Sequence, residues 1–288
     1  MEFGVLYSYW GNEWKCNYIE TAEKIQKAGF DIMEAGAGHL LEMSDLQLLE
    51  LKKACDELGL KITANIGPAK DKDVASGDPD VRKAGISYLT DIMKSMAKIG
   101  SRKIVGVMYT YWPNDFSDLD KEGIWGRGVE SVREMAQTAE DLGIEMCLEV
   151  VNRFETHILN TCEEGIKFCR EVGSPNVKLL LDTFHMNIEE DNIADAVRRA
   201  GSCMGELHTG EGNRKLPGQG SLPWAEIGRA LQETGYTGSV VMEPFVKMGG
   251  QVGKDIKVWR DLSNGAEEEM LSRALADSLV FLKKNFCL

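Results

Sequence analysis

The sequence predicts a (β/α)8 barrel in a single domain spanning residues 1–288. Three observations predict it. Short apolar runs recur eight times, stretches with helical spacing fill the gaps, and a glycine separates each helical stretch from the next run, at Gly29, Gly59, Gly100, Gly143, Gly173, Gly201 and Gly235. The apolar runs are near-continuous rather than alternating, as expected for parallel strands covered on both faces. An open doubly wound sheet would also interleave strands and helices, but eight evenly repeated units favour closure into a barrel.

The elements follow in order. The first strand begins near Phe3 (FGVLY) and the second near Ile32 (DIMEA). SDLQLLELKKACDELG then carries leucines at helical spacing and opens with a capping box from Ser44 to Gln47. After the third strand near Ile62 (KITANI), Asp78 supplies a cap ahead of Pro79 at a first helical position. The fourth strand begins near Ile104 (KIVGVMY) and the fifth at Glu145 (EMCLEV), followed by a second capping box from Thr161 to Glu164. VKLLLD from Val177, GELHT from Gly205 and VVMEPF from Val240 complete the strands, and EEEMLSRALADSLVFLKK closes the ring. Each separating glycine can take the left-handed conformation that stops a helix at little cost. The long segments after strands three, four and seven lie on the face where barrels build active sites.

Composition narrows the function classes. A formal charge of −13 opposes a nucleic-acid partner, which needs Lys and Arg to neutralise phosphates. It suits a small neutral substrate and a cation. Seven cysteines without a CxxC pair read as reduced, buried apolar residues of a cytosolic protein. No basic, apolar leader opens MEFGVLYSYWGNEW, and no run reaches the ~18 apolar residues of a membrane span. The expectation is a cytoplasmic protein without a membrane partner.

Four polar residues end four successive apolar strands: Glu149, Asp182, His208 and Glu243, spaced 33, 26 and 35 residues apart. A charged group ending a buried strand is expensive unless compensated. Singly, each carboxylate is explained by a nearby Lys or Arg. Together, at one end of one barrel, they are better explained by a shared divalent cation. A mostly oxygen set with one imidazole suits Mn²⁺, Co²⁺ or Mg²⁺ more than a structural Zn²⁺. Glu155, His185 and Arg214 follow these strand ends and could grip substrate hydroxyls. Alternatively, Glu155 pairs with Arg153 and His185 merely supports a ligand. The aromatics Tyr7, Tyr9, Trp10, Trp14, Tyr109, Tyr111, Trp112 and Phe245 could pack the rim or wall a sugar's carbon skeleton. Two glutamates flanking a chelated α-hydroxyketone could take a proton from one face and return it on the other, which is an epimerisation. A single base would give an aldose–ketose isomerase instead.

YSYW, YWP at 111–113, LEVVNRFE, LDTFHMNIEED, HTGEGNRKLPGQG, MEPFVKMGG and DIKVWRDLS resemble the ketose 3-epimerase family (tagatose and psicose, or allulose, 3-epimerases) of the xylose-isomerase-like TIM barrels. The likeness runs the length of the chain. It implies Mn²⁺ or Co²⁺ on Glu149, Asp182, His208 and Glu243, no organic cofactor, and acid–base exchange of the C3 proton by Glu149 and Glu243 through a cis-enediolate. It further implies that Glu155, His185 and Arg214 hold the O1–O3 end of a free ketohexose, such as D-fructose/D-psicose or D-tagatose/D-sorbose. Trp14 and Trp112 would line the pocket, and the assembly would be a homodimer or tetramer. The chain departs from the family pattern at Leu6 in place of tyrosine, Asn65 in place of glycine, Val107 and Met108 in strand four, and Gly212 in place of cysteine. Leu6, Asn65 and Val107 would face C4–C6, where they would alter the preference among C4 epimers. Competing readings are an aldose–ketose or hydroxypyruvate-type isomerase and a non-catalytic sugar-binding barrel. An endonuclease IV-like enzyme is also weighed, but its histidine-rich metal cluster is poorly served by four histidines.

Overall fold

Eight parallel strands pair in sequence order and close on themselves, β1 against β8, in the computed structural model, which describes residues 1–286. The strands are β1 (Glu2–Leu6), β2 (Ile32–Gly36), β3 (Lys61–Asn65), β4 (Lys103–Gly106), β5 (Glu145–Val150), β6 (Val177–Asp182), β7 (Met204–Thr209) and β8 (Ser239–Met242). Each coincides with an expected apolar run to within a few residues. Among the described residues no helix is long and apolar enough to cross a membrane.

Eleven α-helices surround the barrel among the described residues, more than one per gap. In order they are α1 (Tyr18–Lys27), α2 (Ala37–Glu42), α3 (Asp45–Leu58), α4 (Pro79–Lys98), α5 (Lys121–Leu142), α6 (Cys162–Val172), α7 (Thr183–Glu189), α8 (Ile193–Ala200), α9 (Trp224–Glu233), α10 (Gly250–Asp255) and α11 (Glu268–Asn285). The extra short helices α2 and α7 start directly at strand ends. Asp182 shows why at α7: its carboxylate accepts from the backbone N–H of Phe184 and so caps the helix at once.

Local signals behave as the physics of helix ends requires. Both capping boxes form, Ser44 with Gln47 and Thr161 with Glu164, and Asp78 caps α4 ahead of Pro79. All seven separating glycines have positive φ, but Gly201 (φ 48°, ψ −126°) is not left-handed helical and opens a 3-10 turn instead. Of the cysteines, Cys55, Cys147, Cys162 and Cys169 are buried, Cys16 and Cys203 are half-buried, and Cys287 lies outside the described residues. No disulfide joins the six that are described.

One glycine lets β4 end tightly against the segment that follows β3. β4 ends at Gly106 with φ 115°, and a Cβ there would stand 2.2 Å from the Ile66 carbonyl oxygen. Both the backbone angle and the contact exclude a side chain. Gly106→Ala is therefore expected to cost at least about 2 kcal/mol. Denaturant unfolding of the variant checks this.

Registers then set which side chains meet. Asp182 of β6 lies level with His208 of β7, after a shift in pairing between Leu179 and Leu180. Glu243 follows the last residue of β8, with its N–H bonded to the Thr209 carbonyl. All four strand-end residues thereby reach the carboxyl end of the barrel.

Candidate metal and substrate site

Glu149, Asp182, His208 and Glu243 each offer a ligand atom within 4.8 Å of the others, and all four residues are buried. Three carboxylates this close repel one another. Arg214 relieves part of that, with Nη1 3.3 Å from Glu243 and 3.7 Å from Asp182. Burial, with the charges of Glu149 and Asp182, still holds the Glu243 carboxyl well above its ordinary value, although His208 and Arg214 oppose the shift. Among the described residues, Asp182 Oδ2 and both ring nitrogens of His208 make no hydrogen bond. Buried polar atoms rarely go unpaired. Unpaired oxygen and nitrogen atoms converging on one point are what a hard or borderline divalent cation would satisfy, so the residues fit such an ion.

Behind His208 lies a feature that the sequence reading missed. Its Nε2 stands 3.0 Å from Glu34 Oε1 and 3.3 Å from Glu206 Oε1, both carboxylates fully buried. Burial opposes ionisation of Glu206, but His208 and Lys103 outweigh it and hold the carboxyl down at about 2. Burial also pulls the His208 imidazole down, yet Glu34, Glu206 and Glu243 raise it well above its ordinary value. A signal was present. Glu34 interrupts the apolar run IMEAG, and Glu206 precedes His208 by two, the spacing that puts both on one strand face.

The residues expected to grip substrate gather beside this cluster. Trp112 Nε1 donates to Glu155 (2.8 Å), Asn152 Nδ2 donates to its other oxygen (3.0 Å), and Arg214 Nη2 lies 3.5 Å away. Burial would raise the Glu155 carboxyl, but His185, Arg214 and these hydrogen bonds prevail and lower it. The alternative pairing with Arg153 does not occur, because Arg153 binds Glu189. His185 Nδ1 accepts from the Asn152 backbone N–H at 3.1 Å. We assign its ring proton from that bond to Nε2, the atom 3.5 Å from Glu149. Asn152 carries no signal in the sequence. The loop after β5 folds back and brings it against His185 and Glu155.

Arg214 is held rigidly. Its guanidinium stacks 3.6 Å from the Phe184 ring centre, its backbone adopts φ 63°, and its carbonyl accepts from Phe245 N. The loop carrying it is tied by buried Glu211, which accepts from Gly218 N, Leu222 N and Trp224 Nε1.

A cavity of about 370 Å³ opens onto the cluster. Of the four strand-end residues, Glu149 and Glu243 line it, whereas Asp182 and His208 lie behind. Glu155, His185 and Arg214 line it too, together with Trp14, Trp112 and Phe245. Leu6, Asn65 and Val107 line it as well. The other aromatics divide: Tyr7 lines the cavity, while Tyr9 donates to the Leu271 carbonyl, Trp10 to Ser272 and Tyr109 to the Glu149 carbonyl. Tyr111 bonds Asp115 away from the cavity. These four pack the rim.

Comparison with known proteins agrees with this geometry. The xylose isomerase-like TIM barrel family matches residues 22–262. The D-psicose 3-epimerase of Ruminiclostridium cellulolyticum is 51% identical over 98% of this chain and 96% of its own length. That of Agrobacterium fabrum is 49% identical over 98% of both chains. The crystal structure of D-psicose 3-epimerase with D-tagatose from Clostridium cellulolyticum superposes with a TM-score of 0.98, at 50% identity and covering 99% of each chain.

Proposed function

The chain belongs to the ketose 3-epimerases of the xylose isomerase-like TIM barrel family, and from that premise we propose how its residues invert C3 of a free ketohexose. It is an epimerase. The observation that carries the mechanism is the division within the cluster: the two glutamates line the cavity, and Asp182 and His208 do not. Glu149, Asp182, His208 and Glu243 would hold Mn²⁺ or Co²⁺, with Mg²⁺ a third choice. Such an ion would supply Lewis acidity to a bound ketose.

Glu149 and Glu243 then act on C3. One removes the proton from one face, leaving a cis-enediolate, and the other returns a proton to the opposite face. The depth of Glu243 and the neighbouring negative charges, which raise its pKa, suit a carboxyl that must take up and release a proton. Glu155, His185 and Arg214 hold the O1–O3 end, with the His185 Nε2 proton and the Arg214 guanidinium as donors. Trp14, Trp112 and Phe245 cover the carbon skeleton, and Leu6, Asn65 and Val107 meet C4–C6. Because Leu6 and Val107 present no hydroxyl there, selection among C4 epimers rests on shape more than on hydrogen bonds.

The reading includes D-fructose/D-psicose and D-tagatose/D-sorbose as substrate pairs, no organic cofactor, and a cytoplasmic homodimer or tetramer of one-domain subunits (residues 1–288). The test is incubation of chelator-stripped protein with D-fructose, D-psicose and D-tagatose in D2O, with and without Mn²⁺, Co²⁺ or Mg²⁺. Metal-dependent deuterium at C3 with formation of the 3-epimer is expected. Deuterium at C1 with an aldose product would replace the reading with an isomerase.

A further inference from the structure

We infer that Glu34, fixed by Asn65 and Thr63, is a positioning residue that aims His208 Nδ1 at the ion, so that a strand outside the ligand-bearing arc sets metal affinity. The inference rests on the proposed metal site. Glu34 sits in the middle of β2 and is fully buried, yet it is not one of the four converging residues. Its Oε1 lies 3.0 Å from His208 Nε2, an ion-pair contact rather than an aligned hydrogen bond, on the ring edge opposite Nδ1, which is 3.6 Å from Glu243. An imidazole can face a cation with Nδ1 only if Nε2 carries the proton. A carboxylate opposite Nε2 favours that tautomer and that ring orientation.

Two carboxylates face Nε2, and their surroundings give them different tasks. Glu206 is committed downward: Ser239 bonds its Oε2, and Lys103 Nζ lies 3.6 Å from the same oxygen while donating to Ser239 and the Gly205 carbonyl at 2.7 Å. Glu206 is therefore anchored toward the amino end of the barrel, where Lys103 balances its charge. Among the described residues, Glu34 has no cation of its own within 4.0 Å apart from His208. It is instead oriented by neutral donors, Asn65 Nδ2 at 3.1 Å to Oε1 and Thr63 Oγ1 at 3.3 Å to Oε2. A buried carboxylate without another counter-charge gains most from His208, and through it from a cation on Nδ1. Asn65 also lines the cavity. Its amide group thus joins the wall around the substrate to the support of a metal ligand.

The test is calorimetric titration of the full-length chelated protein with Mn²⁺, for the parent, Glu34→Gln and Asn65→Ala. Glu34→Gln keeps shape and volume but removes the negative charge opposite Nε2. Its Mn²⁺ affinity is expected to fall about 10- to 100-fold, while the melting temperature of the metal-free form stays at or above that of the parent. Asn65→Ala, at a half-buried position that tolerates truncation, removes one orienting hydrogen bond. Its expected loss is smaller, about fivefold. The second variant keeps the inference open to refutation even where the first fails to fold. Mn²⁺ affinity within twofold of the parent for the folded variants overturns the positioning role while leaving the metal site intact. A parent that binds no Mn²⁺ overturns the metal site itself, and this inference with it.

Discussion

Glu149→Gln and Glu243→Gln should each lower epimerase turnover at least about 10³-fold, the scale on which positioned acid–base groups act. Both residues line the cavity and both reach the converging cluster, so neither role can pass to a neighbour. Glutamine keeps an oxygen that can face a cation but cannot accept or deliver the C3 proton. A further signature separates two bases from one. Any remaining C3 exchange in D2O should run without epimer formation, because a lone base can return a proton only to the face it came from. Chromatographic analysis of the sugars with mass detection measures both quantities. Near-parent turnover in either variant would remove that glutamate from the acid–base pair.

Removal of the metal should have the second-largest effect. Dialysis against a chelator is expected to abolish turnover and readdition of Mn²⁺ or Co²⁺ to restore it. Stability should move with it. An ion at a hundredfold its dissociation constant adds about 2.7 kcal/mol to the folded state, and a gain of that size raises the melting temperature by roughly 5 °C or more in a chain of this length. The source is visible in the site: three mutually repelling carboxylates, and unpaired atoms on Asp182 and His208 that a cation would pair. The sign with pH follows, since cation and protons compete for the same four groups. The metal-dependent part of the stability grows as pH rises and is lost as pH falls. Thermal melts with and without metal at two pH values check this. An equal melting temperature in both forms at neutral pH would argue against an ion in this cluster.

Much of the barrel was legible in the chain because its signals are local. An apolar run of five residues, a Ser44–Gln47 or Thr161–Glu164 capping box and a glycine with positive φ act over a few neighbours, so their outcome is written where they stand. Glu149, Asp182, His208 and Glu243 were legible for a related reason. Once the strand–helix unit repeats, the end of each strand is a known place in the barrel, and four ligand-type residues at four such ends must converge. The resemblance added what spacing could not, namely the ketose and the C3 proton.

Other features depended on closure. Glu34 belongs to β2 and His208 to β7, and nothing near either in the chain brings them within 3.0 Å; the inside of the closed barrel does. Which nitrogen of His185 carries the proton depends on a backbone N–H 33 residues away at Asn152. The choice of Arg214 rather than Arg153 as the partner of Glu155 depends on how the loops after β5 and β7 fold over the cavity, with Glu189 taking Arg153. The sequence by itself determined the repeating elements and the four convergent ligand-type residues, because these follow from periodicity and short-range hydrogen bonding. Only the tertiary structure decided which charges support them, because a buried charge is paired by whatever the fold brings within a few ångströms, and in a barrel that neighbour comes from a distant strand.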